Sequence, residues 1–218
     1  MDIFLTPVEA RVLGALIEKH ITTPDYYPLS LNALVNACNQ KNNREPVMSL
    51  EENTVRDALY SLQEKRLAGP AGGADSRVTK YEHRSGEVFN FTRAETAIMD
   101  VLMLRGPQTP GELRGRTERM HRFEELSDVQ ATLQRLMQRT PPLVKMLPRQ
   151  PGTKEARYAH LLSGDVEGWI GPEESAGPGE HSAASDERVE RLESEVAELR
   201  REMGELKQQM ENFKRQFE

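Results

Sequence analysis

A mostly helical α+β fold, with three helices and a β-hairpin occurring twice in tandem, is predicted by three features of the 218-residue chain. Two helix-start signatures repeat, two later apolar faces share one spacing, and each of those faces leads into a pair of strand-like runs broken by glycine and proline. The first signature is T-P-V-E at residues 6–9. It supplies an N-capping threonine, a proline at the first helical position and a glutamate that completes a capping box. T-R-A-E at residues 92–95 repeats the box. Val8, Val12 and Leu16 follow at helical spacing in one case, and Ala94, Ile98 and Leu102 in the other.

A Thr-Pro segment comes next in each copy, T-T-P at residues 22–24 and Q-T-P at residues 108–110. Each introduces a shorter helix, L-S-L-N-A-L-V-N-A or P-G-E-L-R-G-R-T. The third helices are expected to be capped by Ser49 with Glu52 and by Ser127 with Gln130. Their inward faces, Val55, Leu59, Leu62 and Val129, Leu133, Leu136, have identical spacing. Hairpins then turn at Gly72-Gly73 and at Pro151-Gly152. Corresponding landmarks lie 74 to 86 residues apart. Three helices followed by a hairpin is the winged-helix plan, an elaboration of helix-turn-helix whose third helix is the usual major-groove reader. The boundaries read as winged-helix domains over 1–88 and 89–162.

Residues 163–185 are rich in Gly, Pro, Ser and acid and read as a flexible linker. Within it, Trp169 and Ile170 form an apolar spot that either docks on the second domain or stays in the linker. Residues 186–218 read as a coiled-coil helix. Val189, Leu192, Val196, Leu199, Met203, Leu206, Met210, Phe213 and Phe217 alternate by three and four, and Val/Leu seams favour parallel two-stranded coils. Flanking charges oppose one another across such a dimer: Arg188 with Glu193, Glu195 with Arg200, Glu202 with Lys207. A homodimer is therefore expected.

Charge is unevenly divided. Residues 1–90 sum to −2, residues 91–162 to +4 and residues 163–218 to −8, within a total of −6. The acidity sits in the C-terminal quarter, and no segment is as basic as a strong nucleic-acid binder. The single cysteine, Cys38, excludes an intramolecular disulfide. The N-terminal M-D-I-F-L-T-P lacks a basic leader region, and no run approaches the roughly 18 apolar residues of a membrane span. A cytoplasmic chain without membrane contact is the expectation. No phosphate-binding loop, dinucleotide fingerprint, zinc-protease motif or cysteine pair occurs, and His20, His83, His121, His160 and His181 lack metal-ligand spacing. Neither catalysis nor a cofactor or metal is expected.

The polar stretch C-N-Q-K-N-N-R-E-P-V at residues 38–47 joins the second and third helices of the first copy. Asn39, Asn42 and Asn43 suit a helix end or a left-handed turn, and Pro46 holds Glu45 extended. Lys41 and Arg44 are then left to contact phosphate, unless Arg44 pairs with a carboxylate inside the fold. Other candidate nucleic-acid contacts are Asn53 and Arg56 on the first reader, Gln130, Gln134 and Arg135 on the second, the preceding cluster Arg114, Arg116, Arg119 and Arg122, and the wing residues Arg77, Lys80, Lys154 and Arg157. Arg77 and Arg157 equally suit bracing the wings against their own helices. Glu51 and Glu52 at the first reader's start oppose phosphate approach.

Several segments carry a family resemblance. C-N-Q-K-N-N-R-E-P-V-M, the preceding T-T-P-D-Y-Y-P-L-S, and R-V-T-K-Y-E resemble the YceH-like family of uncharacterised bacterial proteins. So do R-G-P-Q-T-P-G-E-L-R and P-G-T-K-E-A-R-Y. Together they span roughly residues 5–162. The resemblance implies tandem winged helices in a dimer and brings no catalytic residues. The function expected is a dimeric cytosolic protein that binds double-stranded DNA, with transcriptional regulation as the role the fold class suggests; a protein-interaction adaptor is the alternative.

Overall fold

A computed structural model of the chain describes residues 3–72, 78–149 and 155–165. The linker beyond residue 165, the heptad segment, Trp169, Ile170, Arg77 and Lys154 all lie outside them. About half of the described residues are helical, and the strands form two small antiparallel sheets, so the fold is α+β.

The first half runs α1 (Pro7–Thr22), a 3-10 turn (Pro24–Tyr26), β1 (Leu29–Ser30), α2 (Leu31–Cys38), α3 (Glu52–Glu64), β2 (Ala68–Ala71) and β3 (Lys80–His83). A short α4 (Ser85–Phe89) connects to the second half: α5 (Arg93–Arg105), α6 (Pro110–Arg116), α7 (Leu126–Met137), β4 (Val144–Met146) and β5 (Tyr158–His160). Both expected boxes form. Thr6 Oγ1 accepts from the Glu9 N–H at 3.2 Å while Glu9 accepts from the Thr6 N–H at 2.7 Å. Thr92 and Glu95 do the same on α5, and a third box, Thr109 with Glu112, opens α6.

The expected apolar positions of the third helices are buried: Val55, Leu59 and Leu62 on α3, Val129, Leu133 and Leu136 on α7, the last helix also burying Thr132. Each such apolar side chain contributes about 1.5–3 kcal/mol by leaving water. The starts of these helices differ from the expected Ser49 and Ser127 caps. In the first, the Asn39 side chain accepts from the Leu50 N–H at 2.7 Å and donates to its carbonyl at 2.8 Å, holding residue 50 outside the helix. Glu51 becomes the N-cap. In the second, Asp128 accepts from the Glu125 N–H at 3.0 Å, and the helix starts before Ser127.

Each hairpin gains a partner from the residues that lead into the second helix. β1 pairs antiparallel with β3, making a three-stranded sheet in the order β1-β3-β2. At the corresponding place in the second half, Gln108 exchanges two backbone bonds with Tyr158, at 3.0 and 2.8 Å. One hydrophobic core runs through both halves, with α1 packed on α5. Gly14 lies eight residues beyond its cap Thr6, and Asp100 eight beyond Thr92. These equivalent positions meet where the helices cross. A Cβ on Gly14 would stand 2.8 Å from Leu104 Cδ2 and 3.5 Å from Asp100 Oδ1, so the close approach requires glycine.

Candidate nucleic-acid interface

The loop between α2 and α3 is built on two buried arginines. Arg11, on α1, donates to the Cys38 carbonyl at 3.1 Å and the Pro46 carbonyl at 2.6 Å, at the two ends of the loop. Arg44 turns inward from the loop itself. All five of its N–H donors are engaged, by the Ala37 and Asn43 carbonyls, Gln40 and both oxygens of Glu18. Of the two roles open to Arg44, the structure shows the pairing with a carboxylate inside the fold. Asn43, at φ 63°, supplies the left-handed turn that lets Arg44 point inward. Lys41 stays exposed. Cys38 is fully buried, and that burial pushes its thiol up to about 12 against the opposing pull of Arg44 and Arg11. A thiol so placed is protonated and packs as a small core residue.

The outward faces of α3 and α7 differ in charge. On α3, Glu52, Asn53, Asp57, Tyr60, Gln63 and Glu64 are exposed. Arg56 is drawn to Glu52 and to the Asn53 side chain, so its charge is compensated on its own helix. On α7 the exposed residues beyond the first turn are Gln130, Ala131, Gln134 and Arg135, followed by Gln138. Arg135 donates to Thr132 Oγ1 at 2.9 Å and makes no ion pair among the described residues. Past its first turn, which carries the exposed Asp128, the α7 face is therefore neutral to positive, while the α3 face is acidic from Glu52 through Glu64.

The arginine cluster before α7 divides into two roles. Arg114 donates to the Phe123 and Glu124 carbonyls and shapes the α6–α7 connection. Arg116 bonds Gln108 and lies 3.6 Å from Glu112. Arg119 and Arg122 are exposed, and Arg122 is only loosely matched by Glu124 at 3.8 Å. In the wings, Lys80 is exposed. Arg157 reaches Glu112 at 2.6 Å and the Pro107 carbonyl at 3.2 Å, bracing the second hairpin on α6.

Three buried polar groups had weaker signatures in sequence. Arg11 and Asp100 each interrupt an otherwise apolar helical run, which is the signal that marks them. Asp100 is fully buried, and neither of its oxygens has a hydrogen-bond partner. Burial, together with nearby Glu18, raises its pKa well above the carboxylate range. At the foot of the first hairpin His20 Nδ1 lies 2.8 Å from His83 Nε2, and His83 Nδ1 lies 2.9 Å from Ser85 Oγ. Burial, reinforced by His20, lowers His83 to about 4. Ser85 is 3% exposed, so its hydroxyl anchors the hairpin rather than meeting a substrate. No group of three His, Cys, Asp or Glu that could hold a metal stands among the described residues. No helix among them is long and apolar enough to cross a membrane.

The chain belongs to the DUF480 family, described as proteins of unknown function, whose family model matches residues 5–153. The YceH-like resemblance is consistent with that membership. Similar bacterial relatives carry the name UPF0502 protein. One from Koribacter versatilis is 63% identical over 162 residues, covering 74% of this chain and 75% of its own. Another from Solibacter usitatus is 55% identical over 189 residues, covering 87% and 89%. A third from Aeromonas hydrophila is 54% identical over 172 residues, covering 77% and 78%.

Proposed function

We propose that each half is a winged helix, that the C-terminal heptads pair two chains in the cytoplasm, and that the dimer binds double-stranded DNA through its second half. The observation that carries this reading is the outward face of α7. Gln130, Gln134 and Arg135 are exposed there on a helix without a compensating ion pair for Arg135. Glutamine and arginine are the side chains that read adenine and guanine edges in a major groove, and an α-helix fits that groove. In this reading Arg119 and Arg122, exposed on the chain leading into α7, and Lys80, exposed on the first hairpin, supply phosphate contacts. Arg44 and Arg157 are outside this set because internal partners hold them. Lys41, Arg114 and Arg116 would add to the local positive field.

A second reading rests on α3. Its exposed face combines Glu52, Asp57 and Glu64 with Tyr60, which is 59% exposed. An acidic rim around an exposed aromatic suits a basic protein partner better than a phosphate backbone. The two readings predict different salt responses. Duplex binding that weakens steeply between about 50 and about 200 mM salt supports the DNA reading. Absence of binding at the lower salt removes it and leaves the adaptor reading.

A further inference from the structure

A groove of about 790 Å³ opens where the two halves and the N-terminal segment come together. Ile3, Phe4, Val88, Phe89, Pro141 and Leu143 supply apolar walls, and Lys65, Arg66 and Arg139 supply positive charge against Glu87. Phe4 is 59% exposed, an uncommon state for a phenylalanine whose neighbour Leu5 is wholly buried. Lys65 and Arg139 already pair with Glu9 and Glu95. Arg66 has no side-chain partner among the described residues.

The chain leaves the described residues at this groove. Leu161, Leu162 and Gly164 line it, and the Phe4 ring lies 3.2 Å from the position a Cβ would take on Gly164. The backbone there is anchored: Leu5 donates to the Leu162 carbonyl at 2.7 Å, and Asp165 pairs with Lys145 at 2.7 Å. The next five residues are V-E-G-W-I.

We propose that this groove is the docking site for residues 166–170 of the same chain, with Trp169 as the anchor against Phe4 and Phe89. Three observations select this occupant. The groove wall is continuous with the segment, and Trp169 lies five residues past Gly164, a reach of at most roughly 17 Å. The segment is apolar at Val166, Trp169 and Ile170, and a tryptophan offers about 150–250 Å² to bury. It is also acidic, with Glu167 inside it and Glu173 and Glu174 just beyond, complementary to Arg66. Docking here would fix where the linker starts, and so set the reach between the winged helices and the heptads. This goes beyond the DNA reading and stands or falls independently of it.

Trp169 is the sole tryptophan in the chain, so tryptophan fluorescence comes from this residue alone. The test is acrylamide quenching of the full-length protein, with Phe4→Ser and Arg66→Glu as variants and the thermal midpoint as a folding control. The expected result is a native quenching constant several-fold below that of the unfolded chain, unchanged on dilution, and raised several-fold by Phe4→Ser. Arg66→Glu, at an exposed position, should raise it by a smaller factor and serves alone if Phe4→Ser fails to fold. Native quenching equal to that of the unfolded chain would overturn the proposal. Protection that neither variant changes would place Trp169 elsewhere, and protection lost on dilution would assign the groove to a second copy; either outcome overturns it.

Discussion

Arg44 and Glu18 form a two-pronged ion pair, with Nη2 2.6 Å from Oε2 and Nη1 3.3 Å from Oε1, and the Arg44 side chain has no exposure to solvent. Burial alone would raise the Glu18 pKa, but the hydrogen bonds and charge of Arg44 outweigh it and hold the carboxylate below its usual range. The pair ties the loop after α2 to α1. Removing Arg44 leaves the mostly buried Glu18 carboxylate with Lys19 Nζ, 3.6 Å away, as its remaining ion-pair partner among the described residues, at a cost of up to about 3–5 kcal/mol. Arg44→Ala is therefore expected to lower unfolding stability by that amount in chemical denaturation. A loss under about 1 kcal/mol, typical of an exposed pair, would show that Arg44 faces solvent.

Acid is expected to destabilise the fold before most carboxylates titrate. His83 and His160 are held down to about 4 by burial, from 6.5. As pH falls from about 6.5 to about 4, the unfolded chain takes up these protons and the folded one does not, so stability drops across that window. Glu9, Glu18 and Glu95, all lowered, lose their contributions further down. Thermal midpoints measured through this range should decline, because the two histidine titrations outweigh the single opposing titration of Asp100, and histidine resonances should show both rings neutral at pH 5. A midpoint constant down to about 4.5 would contradict it.

Asp100 has the opposite sign. Its folded pKa is raised while the unfolded group ionises near 3.8, so the unfolded chain sheds a proton that the folded chain keeps. Stability therefore falls as pH rises above that value. Asp100→Asn removes the titration with little change in shape. The variant is expected to melt higher than wild type near neutral pH, with the difference closing as pH approaches 4. A variant less stable at neutral pH would reveal a partner for the ionised carboxylate.

The proposed dimer is held by the heptads alone. Deleting residues 186–218 should lower the mass measured by light scattering from that of two chains to that of one shortened chain, while the thermal midpoint of the remaining chain changes little. An undiminished dimer mass would move the interface into residues 1–185.

Much of the scaffold was legible because it follows local rules. The Thr6 and Thr92 boxes and the apolar triplets of α3 and α7 stand where their spacing placed them. The starts of α3 and α7 were misread, since S-x-x-E and S-x-x-Q match the capping pattern. What overrides the pattern at Leu50 is a bond from Asn39, eleven residues earlier in the chain. The two-residue β1 is too short to show an alternation. Among the candidate contacts, the charge at Arg44 and Arg157 was visible in sequence, but its direction was not. Glu18 lies 26 residues before Arg44, and Glu112 lies 45 before Arg157, so only the folded chain brings each pair together.

The central claim is that α7 reads duplex DNA, and the measurement that tests it most directly is fluorescence anisotropy on a mixed-sequence duplex at about 50 mM salt. Full-length wild type is compared with Gln130→Glu/Gln134→Glu/Arg135→Glu on α7 and with Asn53→Glu/Gln63→Glu on α3. All these positions are exposed, so both variants should fold. Wild type is expected to bind, the α7 variant to lose at least tenfold in affinity, equivalent to about 1.4 kcal/mol, and the α3 variant to stay close to wild type. Equal binding by the α7 variant, or no binding by wild type, would contradict it.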